Sequence, residues 1–171
     1  VYEGTKPGLV RNIAVQGIPG QAGLVARTGS GIRTPADLKG KRLAYIATVP
    51  FYNILTQAVL RAYGIEDDEV IWVSYDSTRL QEQLISENLV DALMMWAAPG
   101  AGRTTRVTAT GEGYLVSIDE YNWDLAEQFG SVYPKVVIPA GSFEGQDNDI
   151  LTLGQVAGYH IWDDAPESLA Y

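Results

Sequence analysis

The sequence contains no cysteine, one histidine and two methionines in 171 residues. Without a thiol there is no disulfide, no thiolate nucleophile and no cysteine-held zinc or iron–sulfur centre. His160, flanked by Tyr159 and Ile161 in an apolar stretch, reads as a packed or hydrogen-bonded imidazole rather than a general base. Basic residues are also scarce, 12 against 21 acidic, for a formal charge of −9. That balance argues against a nucleic-acid surface, which needs a concentrated basic patch, and against docking on anionic lipid. No apolar run reaches the roughly 18 residues of a membrane span, so direct membrane insertion is not expected. Nor does a basic start precede an apolar stretch, as in a signal peptide. The chain opens at Val1 and stops at Tyr171, within what reads as the first turn of a helix. A trimmed piece of a longer protein is therefore expected.

Hydrophobic residues make up 46% of the chain, enough for one sizeable core, and the length suits one large domain better than two independent ones. Glycine and proline divide it into short elements. Residues 1–21 read as irregular, with one apolar stretch at Ile13–Val15; Gly23–Ala26 suits a strand. In "SGIRTPADLKGKR", Thr34 caps, Pro35 takes the first helical position, Asp37 sits in the first turn and Gly40 ends a short helix. "LAYIA" (43–47) is the next strand. A helix over 51–63 carries Ile54, Leu55, Ala58, Val59 and Ala62 as its buried stripe and ends at Gly64.

The strand "EVIWVSY" (69–75) leads to a helix capped by Ser77 or Thr78 that buries Leu80, Leu84 and Ile85. "LVDALMMW" (89–96) is a strand, a weaker helix spans 102–110, and "GYLVSI" is a short strand. Asp119 caps a helix to Phe129, "YPKVVIPAG" is extended, and "TLGQVAGYHIW" is strand-like. Asp164 and Pro166 open a last helix. Strands apolar on both faces, alternating with helices, predict an α/β fold: a mostly parallel sheet with helices on both faces.

Catalytic and cofactor motifs are missing. "GSG" (29–31) lacks the spacing of a nucleophile elbow, and "GIPGQAG" (17–23) matches neither dinucleotide nor P-loop fingerprints. "QDND" (146–149) is followed by Ile150 and Leu151 where a calcium loop would continue with ligands, so a solvated acidic turn is expected there rather than a metal site. Glu66–Glu69 reads as a second acidic surface loop. No metal, no cofactor and no catalytic residue is expected.

A binding cleft remains. In open α/β sheets ligands sit beyond the carboxyl ends of strands, where helix N-termini present N–H groups to anions. Two strand–helix junctions qualify. "ATVPFYN" (47–53) offers Thr48, Phe51, Tyr52 and Asn53; "MWAAPGAGR" (95–103) offers Trp96, Ala98 and Arg103. Tyr52 and Asn53 would supply hydrogen bonds, Phe51 and Trp96 walls, and Arg103 charge for an acidic solute.

"SGIRTPADLKGKRLA", "VDALMM" before a small-residue and proline loop, and "IPAGSFEGQDNDILTL" occur in the order found in TAXI-type receptors. These TRAP-associated extracytoplasmic immunogenic proteins are the solute-binding components of TRAP transporters, and "APESLAY" resembles the approach to their late helix. The resemblance covers about residues 22–171. It implies a periplasmic-binding-protein fold (type II), in which two lobes close on a small organic solute, such as an amino acid or dicarboxylate, and deliver it to membrane permease subunits. By that resemblance residues 1–21 are a remnant of the first lobe or a linker. Residues 22–162 are the second lobe, with hinge-crossing segments near 22–27 and 153–162, and 163–171 begin a truncated C-terminal helix. The location implied is the periplasm. Where family members commonly carry a Gly-Ser-Gly-Thr turn, this chain has Ala-Thr-Val-Pro-Phe-Tyr-Asn, which implies a more aromatic wall. Two other classes compete: an enzyme on the same fold, of pyrimidine-synthesis or dehydratase type, and an interaction or antigenic domain without a small ligand. The segment "IPAGSFEGQDND" (138–149) is expected to be a structural corner, with Pro139, Gly141 and Gly145 shaping it, Phe143 plugging it, and Asp147 and Asp149 accepting turn N–H groups.

Overall fold

Apolar segments flanked by glycine or proline become the elements of the computed structural model, which describes residues 10–15, 20–119, 134–155 and 158–162. Its first half runs β1 (Val10–Val15), β2 (Gly20–Arg27), β3 (Arg42–Ile46), α1 (Pro50–Ala62) and β4 (Ile71–Tyr75). Then come α2 (Gln81–Ser86), β5 (Ala92–Trp96), α3 (Gly102–Ala109) and β6 (Gly113–Val116). The last described elements are β7 (Lys135–Ile138), β8 (Ile150–Gln155) and β9 (Gly158–Trp162). The helices expected over 119–129 and from Asp164 lie outside the described residues.

Seven strands form one sheet in the order β4-β3-β5-β2-β8-β7, with β6 sharing the outer edge of β2 with β8. Only β3–β4 and β3–β5 are parallel; β2 runs antiparallel to β5, β6 and β8, and β7 to β8. The sheet is thus mixed rather than mostly parallel. The sequence pattern could not separate the two cases, because helices cover both faces and make every inner strand apolar throughout.

Alternation along the strands divides the core in two. Ala22, Leu24, Ala26, Leu43, Ala92, Met94 and Val116 face α1, whose Leu55, Ala58, Val59 and Ala62 pack on them. Val25, Ala44, Leu93, Met95 and Val107 form the second layer with Leu84 and Ile85 of α2. The stripe expected on α1 holds except for Ile54, which is 42% exposed; Leu60 is buried in its place. Helix α1 closes at Gly64 in a left-handed conformation, φ +66°.

Three local readings change. The helix expected after Thr34 is a 3-10 turn, Pro35–Leu38, held by Asp37 Oδ2, which accepts from the N–H groups of Arg33 (2.8 Å) and Thr34 (2.9 Å). The strand expected from Glu69 begins at Ile71, because Asp67–Glu69 form another such turn and the Glu69 carboxylate accepts from the Glu66 N–H. The first 21 residues are not wholly irregular, since Val10–Val15 is strand β1 and Gly20 and Gln21 begin β2. Strands β1 and β9 pair only with each other, Val15 opposite Gly158, while Gly20 of β2 lies opposite Gln155 of β8. The chain therefore passes between sheet and ribbon twice, at 16–19 and at 156–157. His160 falls in β9, opposite Asn12.

At the amino end of β3 and β5, Asp91 accepts from Arg42 (Nη2 2.9 Å, Nε 3.2 Å, backbone N 3.0 Å) and from Arg27 Nη2 (3.1 Å). Hydrogen bonds from the Arg42 side chain hold its carboxyl far below the usual carboxylate range. Lys41 closes the same end by donating to the Ser30 carbonyl at 2.7 Å.

Candidate functional site

Strands β3, β4 and β5 all end at one edge of the sheet, and β2 begins there. At this edge Thr48 Oγ1 donates to the Asp76 carbonyl at 2.8 Å, tying the β3–α1 junction to the exit of β4. Helix α1 starts at Pro50 with no side-chain cap from Val49 and no acidic residue in its first turn. Phe51 and Tyr52 follow, both half-buried against the α1 core, with ring centroids 5.3 Å apart and planes tilted by 54°. Burial pushes the Tyr52 phenol pKa up, while the Arg103 guanidinium pulls it back. The hydroxyl therefore stays protonated and can donate.

The β5 exit is built in the same way. Ala97 N–H donates to the Gln21 carbonyl and Ala101 N–H to the Ala98 carbonyl, both at 2.8 Å, and Gly100 takes φ +83°. Thr104, fully buried, donates from Oγ1 to the Trp96 carbonyl at 2.7 Å, which aims α3 at the edge. Helix α3 also lacks a side-chain cap from Ala101 and an acid in its first turn. Trp96 is 38% exposed, and the outer end of its indole reaches Gly20: a Cβ there would sit 2.0 Å from Cη2.

Six of the seven anticipated residues, Thr48, Phe51, Tyr52, Trp96, Ala98 and Arg103, thus lie along the edge where the parallel strands β3 and β5 end, close enough for the Arg103 charge to act on the Tyr52 phenol. Asn53 is different. It is buried, its Oδ1 accepts from the Ile46 N–H and its Nδ2 donates to the Ile46 carbonyl, each at 2.9 Å. It braces the junction from inside and is withdrawn from the surface set. Glu82 and Gly20 neighbour two of these residues with little signal in the sequence. Glu82, on α2, accepts from Arg106 Nε at 2.8 Å and stands 3.9 Å from Arg103 Nε. Those contacts join different helices, and no spacing announces them; for Gly20 the only signal was its place in "GIPG".

The 138–149 segment folds as a tight corner. Gly141 (φ +75°) and Gly145 (φ +72°) turn the chain, and Phe143 is buried among Ala97, Ile138 and Ile150. Asp149 Oδ1 accepts from the Ala140 N–H at 2.8 Å, while Asp147 is exposed. Its organiser is Gln146, whose Nε2 lies 2.9 to 3.1 Å from the carbonyls of Ile138, Pro139 and Asn148. Among the described residues, no group of three or more acidic or histidine side chains could hold a metal, and no helix is long and apolar enough to cross a membrane.

Comparison with known proteins fits this architecture. Over 120 residues the chain is 31% identical to a 4,5-dihydroxyphthalate decarboxylase of Comamonas testosteroni, covering 63% of this chain and 34% of that enzyme. Among solved structures, the periplasmic aliphatic sulphonate binding protein SsuA of Escherichia coli superposes with a TM-score of 0.52 at 19% identity, over 64% of this chain and 36% of that one. A putative sulfonate-binding SsuA from Methylobacillus flagellatus gives 0.55 at 14% identity, over 91% and 37%. A periplasmic binding protein from Brucella ovis with glutathione bound gives 0.53 at 10%, over 95% and 39%. The chain spans about a third of the length of the curated relative and of these structures. It has the α/β architecture of the periplasmic binding proteins, and with all of residues 1–171 matched by the family model it belongs to the NMT1-like family.

Proposed function

We propose that this chain is the ligand-gripping lobe of a solute receptor that captures a small organic anion by closure against a second lobe. One observation carries the reading: the first turns of α1 and α3, free of acidic residues and of side-chain caps, follow the parallel strands β3 and β5 at a single sheet edge, with Tyr52 in one turn and Arg103 in the other. In a chain of formal charge −9, two helix first turns without an acid favour a carboxylate or sulfonate there. Trp96 and Phe51 would cover the apolar part of the solute. Bound solute would stabilise the closed state over the open one.

The finer reading is delivery to the membrane permease of a TRAP-type transporter, with the receptor outside the cytoplasm. The order of "SGIRTPADLKGKRLA" and "IPAGSFEGQDNDILTL" supports the transporter type, and the periplasmic location of the structural neighbours supports the compartment. The test is thermal unfolding of the full-length protein against amino acids, dicarboxylates and alkanesulfonates. An anionic solute should raise the midpoint without being consumed, and Arg103→Ala should abolish the rise. Stabilisation by neutral or cationic solutes alone would overturn the reading.

The identity with the decarboxylase supports a second reading, an enzyme acting on an aromatic acid at the same edge. Release of carbon dioxide from 4,5-dihydroxyphthalate would decide for it and against the receptor.

A further inference from the structure

Arg103 is the second residue of α3, in the turn where the helix's own N–H groups already concentrate positive charge. A guanidinium placed there is unfavourable unless an anion stands close by. In this structure the anion is Glu82, from the first turn of α2, whose Oε1 lies 3.9 Å from Arg103 Nε. That separation lets Arg103 feel the carboxylate without hydrogen bonding to it. Glu82 itself is pinned: Arg106, almost one turn further along α3, donates to both of its oxygens, from Nε at 2.8 Å and from Nη2. The pair thus joins a fixed carboxylate to a guanidinium that is 41% exposed and rises from the first turn of α3, at the edge where β5 ends.

We infer that Glu82 is a built-in stand-in for the anionic group of the solute, holding Arg103 near the sheet edge in the empty protein and competing with the solute for it. The inference rests on the anion-binding reading of this edge. It makes Glu82 a positioning residue that sets how tightly anions are held, and it explains why an acidic side chain borders a site for acids. Arg106 keeps Glu82 in place when Arg103 swings away, so the competition persists after binding and weighs more heavily on a doubly charged solute than on a singly charged one.

The experiment follows the arginine Nε–Hε resonances of the full-length protein by NMR while inorganic sulfate is titrated at constant ionic strength. Native protein is compared with Glu82→Gln, Glu82→Asp and Glu87→Gln, and the Arg103 signal is assigned by its loss in Arg103→Lys. The Arg103 resonance should move with sulfate, and Glu82→Gln should tighten sulfate about three- to tenfold. Glu82→Asp keeps the charge and should stay within about twofold of native, and so should Glu87→Gln, which removes a charge from the exposed end of α2. If Glu82→Gln leaves affinity unchanged or weaker while Arg103 still responds, or if Glu87→Gln tightens sulfate equally, the inference is overturned and the binding edge stands. An Arg103 resonance indifferent to sulfate in all four proteins overturns both.

Discussion

Asn53→Leu keeps a buried side chain of similar size and deletes the amide that holds Ile46 by both of its backbone groups. The pairing of Leu43 with Ala92 is the one registered between β3 and β5, and at the far end of β3 the Asn53 amide takes both backbone groups of Ile46. With leucine, the Ile46 N–H loses this partner inside the protein, while its carbonyl keeps only the Val49 N–H at 3.2 Å. A buried unsatisfied donor costs about 1–3 kcal/mol and a lost bond about 1 kcal/mol, so a destabilisation of about 3 kcal/mol is expected. For a chain of this size that lowers the thermal midpoint by about 6–12 °C.

Asn53→Asp sharpens the test. Its second oxygen would face the Ile46 carbonyl and could donate only when protonated, so folding raises the pKa of this carboxyl. With the sign worked through, the variant should be close to native in stability below the unfolded value of about 3.9, and should lose that stability as pH rises through the folded value. Urea unfolding at pH 4 and pH 7, followed by circular dichroism, measures both variants. A leucine variant within about 0.5 kcal/mol of native, or an aspartate variant whose deficit ignores pH, would refute the bracing role. Loss of solute affinity at unchanged stability would instead return Asn53 to the binding surface.

Other expectations follow from the same structure. Asp91→Asn leaves Arg27 and Arg42 facing each other around a side chain only 13% exposed, and should cost about 2 kcal/mol at pH 7. The native carboxyl titrates below its ordinary 3.8, so its stabilisation is complete above that pH and drains away as pH falls; the native–variant gap should narrow in urea titrations at pH 2. Gly20→Val should expel the Trp96 indole from its seat, red-shifting tryptophan emission relative to a Trp96→Phe control and weakening solute binding. Phe143→Ala empties the small core under the corner and should cost about 3 kcal/mol, measured by denaturant unfolding, with solute affinity preserved in the folded fraction.

Much of this fold is visible in the residues themselves. Thr34 and Pro35, Gly40 and Gly64, and apolar runs such as Leu43–Ile46 and Ala92–Trp96 state local conformations that tertiary structure leaves in place. What escaped was non-local. The antiparallel neighbours of β2 carry the same two-sided apolar signature as the parallel strands. The Ile54-for-Leu60 exchange on α1 reflects a helix face slightly wider than its hydrophobic stripe, with Asn53 and Thr56 buried by hydrogen bonds rather than by apolarity. The edge where the two junctions lie is legible because it follows from the ends of β3 and β5. The duty of each side chain is not, since a buried amide bracing a strand and an amide offered to a solute are the same letter in a sequence.

The side-by-side placement of Gly20 and Gln155 has a consequence for how the sheet between them can be handled. A polypeptide that enters and leaves a folded unit through adjacent strands makes that unit a cassette: residues 20–155 can be cut out, closed with a short linker, or grafted into a loop of another protein without pulling its ends apart.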